Sequence, residues 1–167
     1  MSNWHYGSVE EATEYFSYRL HETVWSAAIA ADQLKALNAA TKIIDALNFK
    51  GDKHTVFVST STDDAGLRAA NAAQSLEFPR DEDTAVPPQI ERACYEIARS
   101  LLDGRDPETE LEALAMTSQG YAALKTQYTR DGLPFEHIVN GVPSFSAWCL
   151  LRPFLRDVSN FQVNRAS

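Results

Sequence analysis

Between Pro87 and Gly104 the chain is written as one amphipathic helix, and this segment constrains everything around it. Pro87 and Pro88 suit a first turn, where a missing N–H removes no helical hydrogen bond. Ile90, Cys94, Ile97 and Leu101 then recur at helical spacing, and Gly104 stands where such a run ends. Four apolar residues on one face must be covered, and other helices are the simplest cover.

The rest of the sequence supplies them. Ser8 and Glu11 form an S-x-x-E capping box, and Val9, Ala12, Phe16 and Leu20 make a stripe that predicts a helix over 8–21. Thr23 to Ser26 reads as a connector anchored by Trp25. Asp32 is a good N-cap for a helix over 32–49, with Leu34, Leu37, Ala40, Ile44 and Leu47 facing inward and Gly51 just beyond. Ile97 and Leu101 are expected to pack on Leu37 and Ile44. Val56, Phe57 and Val58 suggest a brief strand, and Ala65 to Gln74 a short helix. After an acidic loop over 78–88 and the helix over 88–103, Asp106 and Pro107 open another over 106–115. Ser144 can cap a last helix over 144–152, which Pro153 should kink or end.

One stretch breaks this pattern. In "MTSQGYAALKTQY" (Met116–Tyr128) helical spacing gives way to alternation, which predicts one extended arm over about 117–128. Such an arm has no obvious partner elsewhere in the sequence. The expected fold is therefore mainly α: a small helical bundle over residues 1–156 carrying one long strand before the C-terminal helix, then a polar tail over 157–167. At 167 residues, 44% hydrophobic and 23% charged, a single domain can bury roughly two thirds of its unfolded surface and needs no staples.

Function is less legible. The formal net charge of −8 weighs against gripping DNA phosphates, which takes clustered lysine and arginine. Cys94 and Cys149 stand alone and read as core thiols of a reducing compartment. His5, His21, His54 and His137 show no metal-ligand spacing, and neither a phosphate loop nor a nucleophile elbow occurs. No apolar run is long enough for a membrane span, and the N-terminus lacks the pattern of a signal peptide. The chain is read as a non-enzyme without cofactor, metal or membrane.

The order of parts resembles a known family. "SVEEATEYFSYR" before a tryptophan, then "KALNAATKIIDALNFKG", "LEFPR", "VPPQIERACYEIA", the alternating stretch and "VPSFSAWCLLRPFL" are similar to the neck proteins of tailed bacteriophages. These are head–tail connectors, also called adaptor or head-completion proteins. Residues 55–75 look longer than the corresponding loop of that family, and the tail after Asp157 has no evident counterpart. Part of the same sequence family is labelled DnaT-like and single-stranded-DNA-binding, which sets the alternative: an accessory protein of replication.

The resemblance implies a homo-oligomeric ring, with about twelve copies, between the portal protein and a tail or tail-completion protein. Its place would be the virion neck, reached from the host cytoplasm during assembly. DNA would pass through the lumen without tight binding, since twelve copies would carry about −96 formal charges that repel phosphates. The arm would contact the adjacent subunit through Ser118, Gly120, Tyr121, Lys125, Gln127 and Tyr128, reaching about 40 Å if fully extended. Phe154, Arg156, Phe161 and Val163 are the expected contacts to portal or neighbour, with the last two as apolar anchors of the tail.

Overall fold

A computed structural model describes residues 4–115, 118–121, 124–127 and 136–156. Nine helices and one hairpin follow in chain order among them: α1 (Val9–Ser17), α2 (Val24–Ala27), α3 (Ala30–Asp45), α4 (His54–Phe57), α5 (Asp64–Ala73), α6 (Pro88–Leu102), α7 (Pro107–Ala115), β1 (Ser118–Tyr121), β2 (Leu124–Gln127), α8 (Glu136–Val139) and α9 (Phe145–Leu151), with a 3-10 turn over Arg152–Phe154. The chain is mainly α, as its periodicity predicts.

α6 is the axis. It packs most extensively on α3 and α9, and α1 and α2 also lie against it. Ile90, Cys94 and Ile97 are fully buried in one cluster with Leu37, Ile44, Trp25 and Leu151. Leu101, at the far end of the stripe, is only partly buried. Burial is not confined to that stripe, for Ala93 through Ala98 are buried without a break. Among them is Glu96, whose carboxylate accepts from Arg19 (2.7 Å) and from the Tyr15 hydroxyl (2.9 Å). A carboxylate with such partners can be buried without the cost of an orphan charge. Burial and the Glu96 charge together push the Tyr15 hydroxyl up to about 12.

The caps are those the sequence signals. Ser8 Oγ accepts from the Glu11 N–H at 3.1 Å, and Ser144 Oγ from the Ala147 N–H at 3.3 Å. The Glu108 N–H binds Asp106 at 3.1 Å. Gly104 closes α6 with φ +80°.

Several expectations need correction. α1 stops at Ser17, so Leu20 falls beyond it and is 85% exposed. α3 starts at Ala30 with Ile29 as cap, which places Asp32 inside the first turn, paired with Lys35. This phase turns Leu34 partly outward and brings Gln33 and Ala36 in. The Trp25 connector is itself a helical turn; its indole N–H donates to Thr13 at 3.0 Å, and Gln33 donates to its carbonyl. Val56 and Phe57 lie in helix α4, not a strand, because His54 and Lys53 set up a turn whose carbonyls take the N–H groups of Val58 and Phe57. Cys94 is buried, with its thiol pushed up to about 12 by burial, whereas Cys149 is exposed.

The extended stretch is present, but as two strands. β1 and β2 pair antiparallel in the register Ser118↔Gln127, Gln119↔Thr126, Gly120↔Lys125 and Tyr121↔Leu124. The alternation marks extended backbone correctly; the partner is the chain itself. Folding back satisfies main-chain groups that a lone arm would leave to a neighbour.

Candidate functional site

A dense polar construction lies where three segments meet: 48–53 after α3, 76–81 before α6, and 152–156 after α9. Short β-bridges tie them, Phe49 to Leu155 and Lys53 to Arg80. The Lys50 N–H donates to the Phe154 carbonyl at 2.8 Å, and the Arg156 N–H to the Asn48 carbonyl at 3.0 Å. Gly51 takes φ +71° in this turn, and a Cβ there would stand 1.9 Å from an Asp81 carboxylate oxygen. Only glycine fits, since that carboxylate is fixed by the Asp52 N–H at 2.8 Å.

Arg80 is the hub. Its guanidinium donates to the Lys50 carbonyl (2.8 Å), the Gly51 carbonyl (2.6 Å) and the Glu77 carboxylate (2.6 Å). It also lies 6.0 Å from the centres of the Phe49 and Phe78 rings. Lys53 braces the same Glu77 at 3.3 Å and the Gln74 carbonyl at 3.2 Å. Phe78 is buried and meets Phe49 and Phe154 edge to face, with centroids 4.7 and 5.7 Å away. The "LEFPR" segment thus has a mechanical meaning: Phe78 fills the space between loops, and Glu77 and Arg80 lock them.

Beneath the same cluster lies a buried polar group. Tyr6 hydrogen-bonds Asp45 through its hydroxyl, which also accepts from the Phe78 N–H. Burial pushes Asp45 above the usual carboxylate range, against the pull of that hydroxyl.

Two shallow depressions of about 310 and 410 Å³ flank Arg80. Together they are lined by Lys50, Lys53, Arg68, Arg80 and Arg156, with Asp52, Asp64, Glu77, Asp81, Glu82 and Asp83 opposing them. The carboxylates outnumber the cations by one. Four of those cations already donate to atoms of their own chain, Lys50 to the Pro153 carbonyl and Arg156 to the Gly51 carbonyl at 3.3 Å among them. Phe57, half exposed, and Val58 beside it form an apolar rim.

Of the residues expected at interfaces, Phe154 and Arg156 are brought together here, both engaged with their own loops. Ser118, Gly120 and Tyr121 lie on β1, and Lys125 and Gln127 on β2. Gly120 faces Lys125 across the ladder, and Ser118 faces Gln127. Tyr128, Phe161 and Val163 lie outside the described residues. Sequence reading missed Glu77, Arg80 and Lys53; the one signal was an arginine directly after Phe78-Pro79, with a glutamate three positions before it. Among the described residues no group of three or more His, Cys, Asp or Glu could hold a metal ion, and no helix is long and apolar enough to cross a membrane.

The model of one protein family, described as "Putative DnaT-like ssDNA binding protein", matches residues 5–166. No curated protein and no solved structure matches the chain.

Proposed function

The chain belongs to this DnaT-like family over residues 5–166, which makes its relation to DNA the central question, and we propose that it meets DNA as a passage rather than as a ligand. In this reading it is the ring-forming neck subunit that its sequence resembles, joining portal to tail and catalysing nothing. The observation that carries the proposal is the state of its cations. At the Arg80 cluster four of the five, all but Arg68, are spent on carbonyls and carboxylates of the same chain, and carboxylates exceed the cations. Affinity for DNA comes chiefly from cations free to neutralise phosphates. A net charge of −8 adds a repulsive field. Exposed apolar side chains support assembly instead: Phe57 and Val58 beside the cluster, Val139 and Phe145 near α8.

A second reading has its own support. The family's description favours single-stranded-DNA binding, and the exposed Phe57 ring, which shares a depression with Lys50 while Arg68 lines the other one beside Arg80, offers one stacking face with charge at hand. One experiment separates the two. Size-exclusion chromatography with light scattering reports the assembly state, and fluorescence anisotropy with a labelled oligothymidine reports binding across a salt series. A neck subunit forms large oligomers, alone or on portal-bearing heads, and shows no saturable binding at physiological salt. Tight binding with a steep salt slope, abolished by Lys50→Glu with Arg68→Glu, would overturn the proposal in favour of the second reading.

A further inference from the structure

A different surface, away from the Arg80 cluster, has the opposite character. The first turns of α1 and α6 run side by side and leave a groove made of two depressions of about 420 and 320 Å³. Glu11 and Glu91 line both, so the two adjoin. Beyond them the larger one is walled by Tyr15, Tyr18 and Tyr95, with Glu14 at its edge. Gly7, at φ +69°, lays the N-terminal segment across Tyr95; a Cβ there would stand 2.0 Å from the tyrosine oxygen. The smaller depression carries His5, whose Nδ1 is buried with no hydrogen-bond partner among the described residues.

The charges of this groove are unbalanced. Glu11, Glu14 and Glu91 face one cation, Arg92. Arg19, two residues beyond the end of α1, is committed to Glu96. Burial and the charge of Glu11 hold Glu91 above the usual carboxylate range, so the two carboxylates crowd one another. Tyrosine faces beside uncompensated carboxylates attract cations, guanidinium above all, because it stacks on a ring while pairing with a carboxylate.

We propose that this groove binds a basic segment of a partner protein, with an arginine side chain seated between Tyr15, Tyr18 and the Glu11–Glu91 pair. The occupant follows from charge complementarity: three carboxylates turn away phosphates, and two adjoining depressions of about 420 and 320 Å³ offer more room than a lone amine fills. The inference does not depend on the neck reading, since a replication accessory protein could use the same groove.

The test uses the full chain and a dye-labelled octapeptide of alternating arginine and serine, read by fluorescence anisotropy. Tyr18 is 83% exposed, so replacing it leaves the core intact. Tyr18→Ala is expected to weaken binding about two- to fivefold, the size of one exposed cation–π contact, and Tyr18→Phe to restore it. Glu11→Gln with Glu91→Gln is expected to weaken it about tenfold, while Glu108→Gln with Glu112→Gln on α7, which removes equal charge elsewhere, has little effect. Equal losses in both double variants, or no loss in Tyr18→Ala, would overturn the proposal, leaving only general attraction to an acidic protein. A groove variant that instead changes the oligomeric state would also overturn it, by assigning the groove to a second copy of this chain.

Discussion

Arg80→Ala offers the sharpest test of how the three loops are held. The side chain is only 11% exposed and makes three short charge-assisted contacts, to the Lys50 and Gly51 carbonyls and the Glu77 carboxylate, besides a longer one of 3.4 Å to the Glu77 carbonyl. Hydrogen bonds to charged groups contribute about 1.5–3 kcal/mol each when well buried. Here Glu77 keeps Lys53, and water can reach the Lys50 carbonyl, so roughly half of that sum should be lost, about 2–4 kcal/mol. For a domain of this size that corresponds to a fall of about 5–15 °C in Tm. Arg80→Lys keeps the charge but cannot reach two carbonyls and a carboxylate at once, and should cost about 1–2 kcal/mol. Urea denaturation followed by tryptophan fluorescence measures both losses, provided the slope of the transition is unchanged. A cycle with Glu77→Gln should show a coupling above about 0.5 kcal/mol. A loss below about 0.5 kcal/mol for Arg80→Ala would refute the reasoning, because the loops would then be held by Phe78 and its neighbours alone.

Other expectations follow from single sites. Ile97→Ala empties a fully buried position on α6 and should cost about 2–5 kcal/mol in the same assay. Gly51→Ala should cost about 1–3 kcal/mol, since it forces a side chain into left-handed backbone and displaces the Asp81 carboxylate. Burial holds His137 below the ordinary histidine value, so the unfolded chain takes up its proton first. Its contribution to stability should be complete above the ordinary histidine range and lost as pH falls through that range towards the lower folded value. Thermal melts across that window should show the loss in the native chain and not in His137→Phe.

The longer helices were legible because each carried local signals that tertiary structure had no reason to override, whereas the four-residue turns α2, α4 and α8 were not. Pro88, the Ile90–Ile97 spacing and Gly104 bound α6 within a residue or two. The phase of α3 was harder: Asp32 looked like a cap, yet Ile29 already accepts the N–H groups of Asp32 and Gln33. Val56 and Phe57 have strand propensity, but a three-residue preference yields to a turn pinned by the bridge between Lys53 and Arg80. Alternation over 118–127 reported extended backbone without saying which strand would be the partner, since period two is shared by lone strands and hairpins. The Arg80 cluster could not be read at all beyond its hints. It joins residues 50, 80 and 154, and no local pattern encodes a meeting of three loops. The α1–α6 groove was hidden for the same reason, although its tyrosines and glutamates were individually visible.

The unbroken burial of Ala93 through Ala98 in the middle of α6 sets a clock. Its central amides can exchange with deuterium only when α3, α9 and α1 have all moved away, so their exchange should report global opening alone. The loops around Gly51 and Asp81, nearer solvent, should exchange through smaller openings. Peptides from 90–100 therefore supply an internal standard: any partner that slows exchange in the loops while leaving α6 unchanged has bound locally, and any that slows both has stabilised the whole molecule.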